Sequence, residues 1–226
     1  MRNSLVLLTY NEIDGVRAVV PRIPSGAADE IVAIDFASTD GTRECLAGQG
    51  IRVVPQVKRG RGEAFRLAFE SCRGERLLFF SPDGNEDPAD IPRMFAALDT
   101  ADMVIASRFM HGSRNEEDDR ALPLRKWVNQ AFTRAANLRW NRGPYVTDTI
   151  NGFRGLRRTA WEALAPESVG YTIEYELTIR AMKKRLRVVE LATRVGDRVG
   201  GETKGPSLRI GPDFVRLFLR ELFRRG

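Results

Sequence analysis

The residues from Ser81 to Asp90 carry four acidic side chains, Asp83, Glu86, Asp87 and Asp90, immediately after the wholly apolar run 77–80. A carboxylate just beyond a buried strand can reach the mouth of a sheet. Hard divalent cations such as Mg²⁺ or Mn²⁺ take oxygen ligands of this kind and commonly bridge a carboxylate to a nucleoside diphosphate. Asp83 is therefore the metal-ligand candidate, with Asn85 beside it. Pro88 suits the first turn of a helix, which makes Asp87 and Asp90 helix-start acids that complement the dipole.

Two more segments could do chemistry. In "IDFASTDGTRECL" a strand ends at Asp35, and Ser38 to Thr42 supply turn and helix-capping residues. Asp35 either serves that turn or accepts hydrogen bonds from a nucleotide base or ribose. In "KRGRGEAFRLAF" two glycines and several cations stand where a strand meets a helix N-terminus, which suits holding a phosphate or letting a ligand approach the backbone. It lacks the GK[ST] ending of a Walker loop. A solvated basic turn is the plainer alternative.

The elements that must position these residues are legible as an alternation. Residues 5–9, 31–35, 52–57, 76–80 and 103–106 read as strands, each followed by a polar or helix-like stretch, which is βαβ order. The strands are apolar on both faces, as in a parallel sheet covered on both sides, so the fold class is α/β. Ligands in such sheets bind beyond the carboxyl ends of the strands. Those ends carry Thr9, Tyr10, Glu12, Asp35, Lys58 and Asp83. Further on, helices are expected over 124–140, 172–184 and 212–225, and a strand within 186–195. One domain is expected over 1–226, with its parts at 1–107 and 108–211 followed by an amphipathic basic C-terminal helix (212–226).

Composition narrows the class. A hydrophobic fraction of 42% and a charged fraction of 29% belong to a globular chain, and no apolar stretch reaches the roughly 20 residues needed to span a bilayer. Cys45 and Cys72 lack metal-ligand spacing and fit a reducing compartment, so a cytoplasmic location is expected. The net charge of +6 admits anionic partners. Without an aromatic-interleaved basic motif or zinc-finger spacing, nucleic acid is not expected among them.

The segments "LTYNE", "DFASTDGT", "KRGRGEA", "SPDGNEDP", "ASR", "DTINGFRGLRR", "YTIEYEL" and "DRVGGETK" occur in the order found in family 2 inverting glycosyltransferases of the GT-A fold. The chain most resembles the branch that glycosylates dolichyl and other polyprenyl phosphates. The resemblance implies that Thr9, Tyr10, Glu12 and Asp35 hold the nucleoside of a nucleotide-sugar donor, with Lys58 and Gly62 along its sugar and phosphates. It implies a Mg²⁺ or Mn²⁺ at Asp83 assisted by Asn85, and Arg198 and Lys204 on a loop closing over the diphosphate. Arg108, Arg125 and Arg154 match acceptor-phosphate cations, Asp148 the acid before GFR, and Asn129 and Glu176 further acceptor-side positions. A lipid-phosphate acceptor implies a peripheral visit to the cytoplasmic membrane face, for which the helix at 212–226 offers an apolar side flanked by Arg216, Arg220 and Arg224.

Departures from the family pattern stand at Leu8 for proline, Phe36 for the second acid of DDGS, Ser81 for the first acid of DxD and Asn129 for serine. Two alternative functions stay open at this point. A glycan hydroxyl as acceptor requires a general base, Asp148 or Glu176. A non-catalytic nucleotide-sugar-binding relative is compatible with Ser81 and Phe36.

Overall fold

The computed structural model describes residues 1–115, 124–196, 198–199 and 207–224. Among them seven strands form one sheet: β1 Asn3–Thr9, β2 Glu30–Asp35, β3 Arg52–Pro55, β4 Arg76–Phe80, β5 Met103–Ser107, β6 Arg154–Arg157 and β7 Val188–Ala192, in the order β3-β2-β1-β4-β6-β5-β7. All neighbours are parallel except β6, which runs antiparallel to both β4 and β5. The alternation expected from the sequence is present, and the sheet is continuous across residue 107.

The helices are α1 Ile13–Val19, α2 Thr42–Gly48, α3 Arg61–Ser71, α4 Ile91–Ala97, α5 Leu124–Trp140, α6 Arg158–Leu164, α7 Ile173–Lys184 and α8 Ser207–Phe223. The period-2 alternation of strand side chains divides the apolar residues between two layers. Val6, Leu77 and Phe79 face the layer of α3, α5 and α7, whereas Leu5, Leu7, Leu78 and Phe80 face α1, α2 and α4.

Strand β6 is not apparent in the sequence. Its four residues include a glycine and two arginines, a composition that reads as loop. Gly155 is tightly enclosed there: a Cβ would lie 2.9 Å from a Leu98 methyl and 3.0 Å from a Val104 methyl. Helix α8 also differs from expectation, beginning at Ser207 with Pro212 inside it. Phe214 and Leu217 are buried, and Phe218 and Leu222 pack on the same core. Among the described residues, Arg220 pairs with Glu176 (2.7 Å) and Arg224 with Glu167 (2.7 Å), while Arg216 pairs with Asp213 of the same helix (3.1 Å) and stays exposed. The basic side of this helix is largely spent on the domain's own carboxylates.

Gly15 sets how closely α1 approaches the turn after β4, since a Cβ there would stand 2.2 Å from the Pro82 carbonyl oxygen. Gly48, at the end of α2, has nothing within 4 Å of its Cβ position. Gly15→Ala is expected to lower the melting temperature by forcing backbone apart. Gly48→Ala is expected to leave it unchanged or raise it, by up to about 1 kcal/mol of stability. Thermal melts of the two variants beside the parent check this.

Candidate active site

The carboxyl ends of β1 and β2 are laced into one unit. Buried Asp35 accepts from Thr9 Oγ1 (2.9 Å), Ser38 N (3.0 Å) and Ser38 Oγ (2.5 Å), and lies 3.5 Å from Arg43 Nε. Glu12 N donates to Thr42 Oγ1 and Ile13 N to Asp40 Oδ2, which ties the two loops together. Asn11 and Ala37 adopt positive φ of 49° and 50°, turning the chain sharply after each strand. The outcome at Asp35 favours the turn-building alternative: it is fully buried and organises the wall formed by the loops after β1 and β2. Tyr10 is exposed at that wall, with its ring 5.5 Å from Phe36. The departure at Phe36 thus exchanges a charge for a second aromatic face.

The glycines of "KRGRG" serve a different purpose from the one expected. A Cβ on Gly62 would stand 1.8 Å from the Ser168 carbonyl oxygen, and one on Gly60 2.3 Å from that of Val169. Gly62 N and Glu63 N both donate to Val169 O. The group that approaches the N-terminus of α3 is therefore the chain's own 168–169 backbone. A phosphate cannot use amides already bonded to a carbonyl, so Gly62 is corrected from a ligand contact to a packing residue. Lys58 is exposed, and its carbonyl is held by Gln56 Nε2 at 2.6 Å.

The turn after β4 is closed at both ends. Ser81 N donates to Glu86 Oε2 (2.6 Å), Asn85 N to Asp83 Oδ1 (3.1 Å) and Asn85 Nδ2 to Asp83 Oδ2 (3.4 Å). Asp87 caps the helix start by accepting from Ala89 N, whereas Asp90 caps nothing and instead accepts from Thr193 Oγ1 and pairs with Arg93. Burial pushes the Asp83 carboxyl above its ordinary range, against the Asn85 amide and the charges of Arg198 and Arg61. Burial and the neighbouring Asp83 charge push Glu86 up to about 8.

A segment after β7 docks on this turn: Gly196 N donates to Asn85 O (2.9 Å) and Val199 N to Asp83 O (2.7 Å). It delivers Arg198, whose guanidinium pairs with Glu12 and lies 3.4 Å from Asp83 Oδ2. That guanidinium stands where a cation is wanted, and the donors beside it, a carboxylate and an amide, are hard oxygen ligands suited to Mg²⁺ or Mn²⁺. Among the described residues no three Asp, Glu, His or Cys side chains converge as a metal cage. A divalent ion at Asp83 and Asn85 would thus draw most of its ligands from a diphosphate. Lys204 lies outside the described residues.

On the acceptor side, Arg108 follows β5 and grips Asp148 with a two-pronged pair, Nε to Oδ2 at 2.7 Å and Nη2 to Oδ1 at 3.1 Å. Arg108 N, Ile150 N and Asn151 N also donate to that carboxylate. Burial works against the Asp148 charge, yet Arg108 holds it below the ordinary carboxylate range. Glu190 accepts from Thr147 N, Thr147 Oγ1 and Asp148 N, steadying the loop from beneath. Arg108, Arg125, Asn85, Glu86 and Asn151 line one cavity of about 130 Å³. Asn129 sits part-exposed on α5, one turn beyond Arg125.

Two acceptor-side expectations are corrected. Arg154 is fully buried and donates to Asn151 O, Thr149 O, Glu174 O and Thr178 Oγ1, so it holds loop and helix together and does not face a phosphate. Burial lowers its guanidinium to about 10, still charged at neutral pH. Glu176, also fully buried, accepts from Ser168 N (2.6 Å) and pairs with Arg180 and Arg220. A carboxylate so committed makes a poor general base. The same holds for Asp148, whose place is to orient Arg108. Sequence reasoning missed Glu86 and Asn151 as cavity residues. Glu86 stands in plain view three residues after Asp83, but nothing in the sequence shows that it folds back on Ser81.

Glu86 carries a pH signature. Its folded-state value of about 8 exceeds the ordinary 4.5, so its neutral form favours folding. That contribution is fully present below pH of about 4.5 and is lost as pH rises through about 8. Glu86→Gln keeps an acceptor for Ser81 N and cannot ionise. Its melting temperature is expected to match the parent near pH 4 and to exceed it at pH 9, as followed by melts across that range.

A family model, "Glycosyl transferase family 2", matches residues 4–164. An undecaprenyl-phosphate mannosyltransferase of Micrococcus luteus is 28% identical over 96% of this chain and 93% of its own length. A polyprenol monophosphomannose synthase of Mycolicibacterium smegmatis is 28% identical over 90% of this chain and 80% of its own. A dolichol-phosphate mannosyltransferase of Pyrococcus furiosus is 26% identical over 90% of this chain, which spans 59% of that relative. Among solved structures, glucosyl-3-phosphoglycerate synthase of Mycobacterium tuberculosis, in complex with Mg²⁺ and UDP, superposes over 100% of this chain and 80% of its own with a TM-score of 0.75 at 20% identity. That likeness bears on the fold, which is that of the GT-A glycosyltransferases. With the sheet, the site at its carboxyl edge and the family match in agreement, the chain is a glycosyltransferase and belongs to glycosyl transferase family 2.

Proposed function

We propose that this enzyme transfers a hexose from a nucleotide diphosphate sugar, with inversion at the anomeric carbon, to the phosphate of a polyprenyl lipid. The observation that carries the reading is the cavity lined by Arg108 and Arg125 beside the Asp83 turn, with both candidate bases, Asp148 and Glu176, locked in internal pairs. A phosphate monoester is already an anionic nucleophile near neutral pH and needs no base. The names of the Micrococcus and Mycolicibacterium relatives point to the same class of acceptor.

In this reading Tyr10 and Phe36 present aromatic faces to the base, while Thr9, Asp35 and Glu12 keep the surrounding loops in place. Arg198 and Lys204 receive the diphosphate, Arg198 exchanging its partner Glu12 for phosphate oxygens. Asp83 and Asn85 would hold a divalent cation, which would supply charge neutralisation for a leaving diphosphate. Arg108, fixed by Asp148, and Arg125 orient the acceptor phosphate. One of its oxygens forms the new bond to the anomeric carbon from the face opposite the leaving group. The bond from that carbon to the donor's diphosphate oxygen breaks, and its electron pair leaves with the nucleoside diphosphate. The planar guanidinium fork suits a tetrahedral oxyanion better than a lysine would.

Transfer of radiolabelled hexose from GDP-mannose and UDP-glucose into a short polyprenyl phosphate, with Mn²⁺ or Mg²⁺, tests the reading. Arg108→Ala and Arg125→Ala are expected to raise the acceptor KM about 10- to 100-fold with donor binding intact, since each removes a charge-assisted bond to phosphate. Asp83→Ala is expected to abolish metal-dependent nucleotide binding in calorimetry. Product found in glycan acceptors alone, with the arginine variants fully active, would overturn the lipid-phosphate assignment. Nucleotide binding without any transfer would favour a non-catalytic relative.

A further inference from the structure

Three apolar side chains reach solvent at the carboxyl ends of three neighbouring strands. Tyr10 follows β1 and is 38% exposed, Phe36 follows β2 and is half-buried, and Val57, two residues beyond β3, is 89% exposed. The strand order β3-β2-β1 makes them successive along one edge of the sheet. Neither core layer includes them. The Tyr10 and Phe36 rings lie 5.5 Å apart and are tilted by 59°, so together they present two differently inclined aromatic faces.

Many of the polar groups around these rings are already committed. Both Asp35 oxygens are filled, Oδ1 by Ser38 N and Oδ2 by the Thr9 and Ser38 hydroxyls. The Ser38 hydroxyl in turn accepts from Asn11 N, and Asn11 Oδ1 accepts from Thr39 N. At the strand ends Phe36 N donates to Thr9 O and Gln56 N to Asp35 O, while Gln56 Nε2 is spent on the carbonyls of Lys58 and Gly60. A base whose edge sought that carboxylate or these amides would have to break a bond inside the wall. A base laid on the rings needs only a π-face, which every nucleobase has. Edge reading by the exposed polar side chains nearby, Thr39, Lys58 and Arg59, would instead separate bases of one ring size.

We infer that Phe36, together with Tyr10, selects the donor by the area of its aromatic base and not by hydrogen bonds to the base edge. Purine and pyrimidine nucleoside diphosphates both bind, and purines bind tighter because a two-ring base covers more of the aromatic and apolar edge. The inference rests on the proposed function for the placement of a nucleoside at this edge, and adds to it which feature of the donor is read. Phe36 is thereby a specificity-determining residue. A side chain without donors or acceptors cannot tell guanine from hypoxanthine, or uracil from cytosine. Discrimination among donors then falls to the diphosphate and the sugar.

Calorimetric titration of the full chain with the diphosphates of guanosine, inosine, adenosine, uridine and cytidine, in the presence of Mn²⁺, tests the inference. The three purine diphosphates are expected to agree within about threefold, as are the two pyrimidine diphosphates, with the purines about three- to tenfold tighter. Phe36→Leu keeps an apolar side chain and removes the aromatic face. It is expected to weaken the purines about tenfold and the pyrimidines less, so that the purine preference shrinks. That change of ratio is a readout that a folding fault would not give, since misfolding weakens all five alike. A gap of roughly tenfold or more between guanosine and inosine diphosphates, or between those of uridine and cytidine, shows that an edge is read and overturns the inference. A Phe36→Leu variant that binds all five as the parent does overturns it too. If one base alone binds, and hexose is transferred from the matching sugar donor, the inference falls and the proposed function stands. If none of the five binds to a chain that melts cooperatively, the donor assignment itself fails and takes the inference with it.

Discussion

The site depends on one buried ion pair. Asp148 has no exposed surface, and a carboxylate taken out of water must be paired and hydrogen-bonded or it neutralises. Arg108 satisfies it with a two-pronged grip, and the amides at 108, 150 and 151 complete its coordination. The pair joins the carboxyl end of β5 to the loop that feeds β6, two segments 40 residues apart in the chain. The guanidinium cannot drift, and the cavity beside it keeps its shape. Glu190 on β7 extends the same logic one strand outward by holding the 147–148 amides.

A second buried cation explains how the other wall is held. Arg154 begins β6 and spends its donors on carbonyls at 149, 151 and 174 and on the Thr178 hydroxyl, so loop, strand and α7 are fastened to one guanidinium. Arg61 lies against Gly152, where a Cβ would stand 1.9 Å from its Nη2, and pairs with Glu174. Arg154 is structural because its donors are spent inside the protein, and Arg61 is committed to Glu174. Arg108 differs in having one side sealed by Asp148 and the other on the cavity.

The turn after β4 shows a different compromise. Ser81 supplies no acid, and the amide at that position is bonded by Glu86, whose carboxylate is crowded by burial and by Asp83. The docked Arg198 offsets part of that negative charge from above, reaching both Glu12 and Asp83. A ligand-free site that would otherwise carry several close carboxylates is thus held together by a cation from the chain itself.

By itself the sequence determined the α/β class, the strand-end clustering of polar residues and the family, because buried strands read as apolar runs and motif order survives without coordinates. Asp87 as a cap and Asp83 at the turn follow from local spacing, which acts over a few residues. Tertiary structure decided the rest, for reasons of distance along the chain. Gly62 reads as part of a phosphate-holding loop or of a solvated basic turn until residues 168 and 169, more than 100 positions away, are seen to fill the space. Arg154 reads as a phosphate ligand until β6 is seen inserted between β4 and β5, which places it in the core. Residues 124–140 read only as a helix, and it is packing that shows which of its residues remain in solvent.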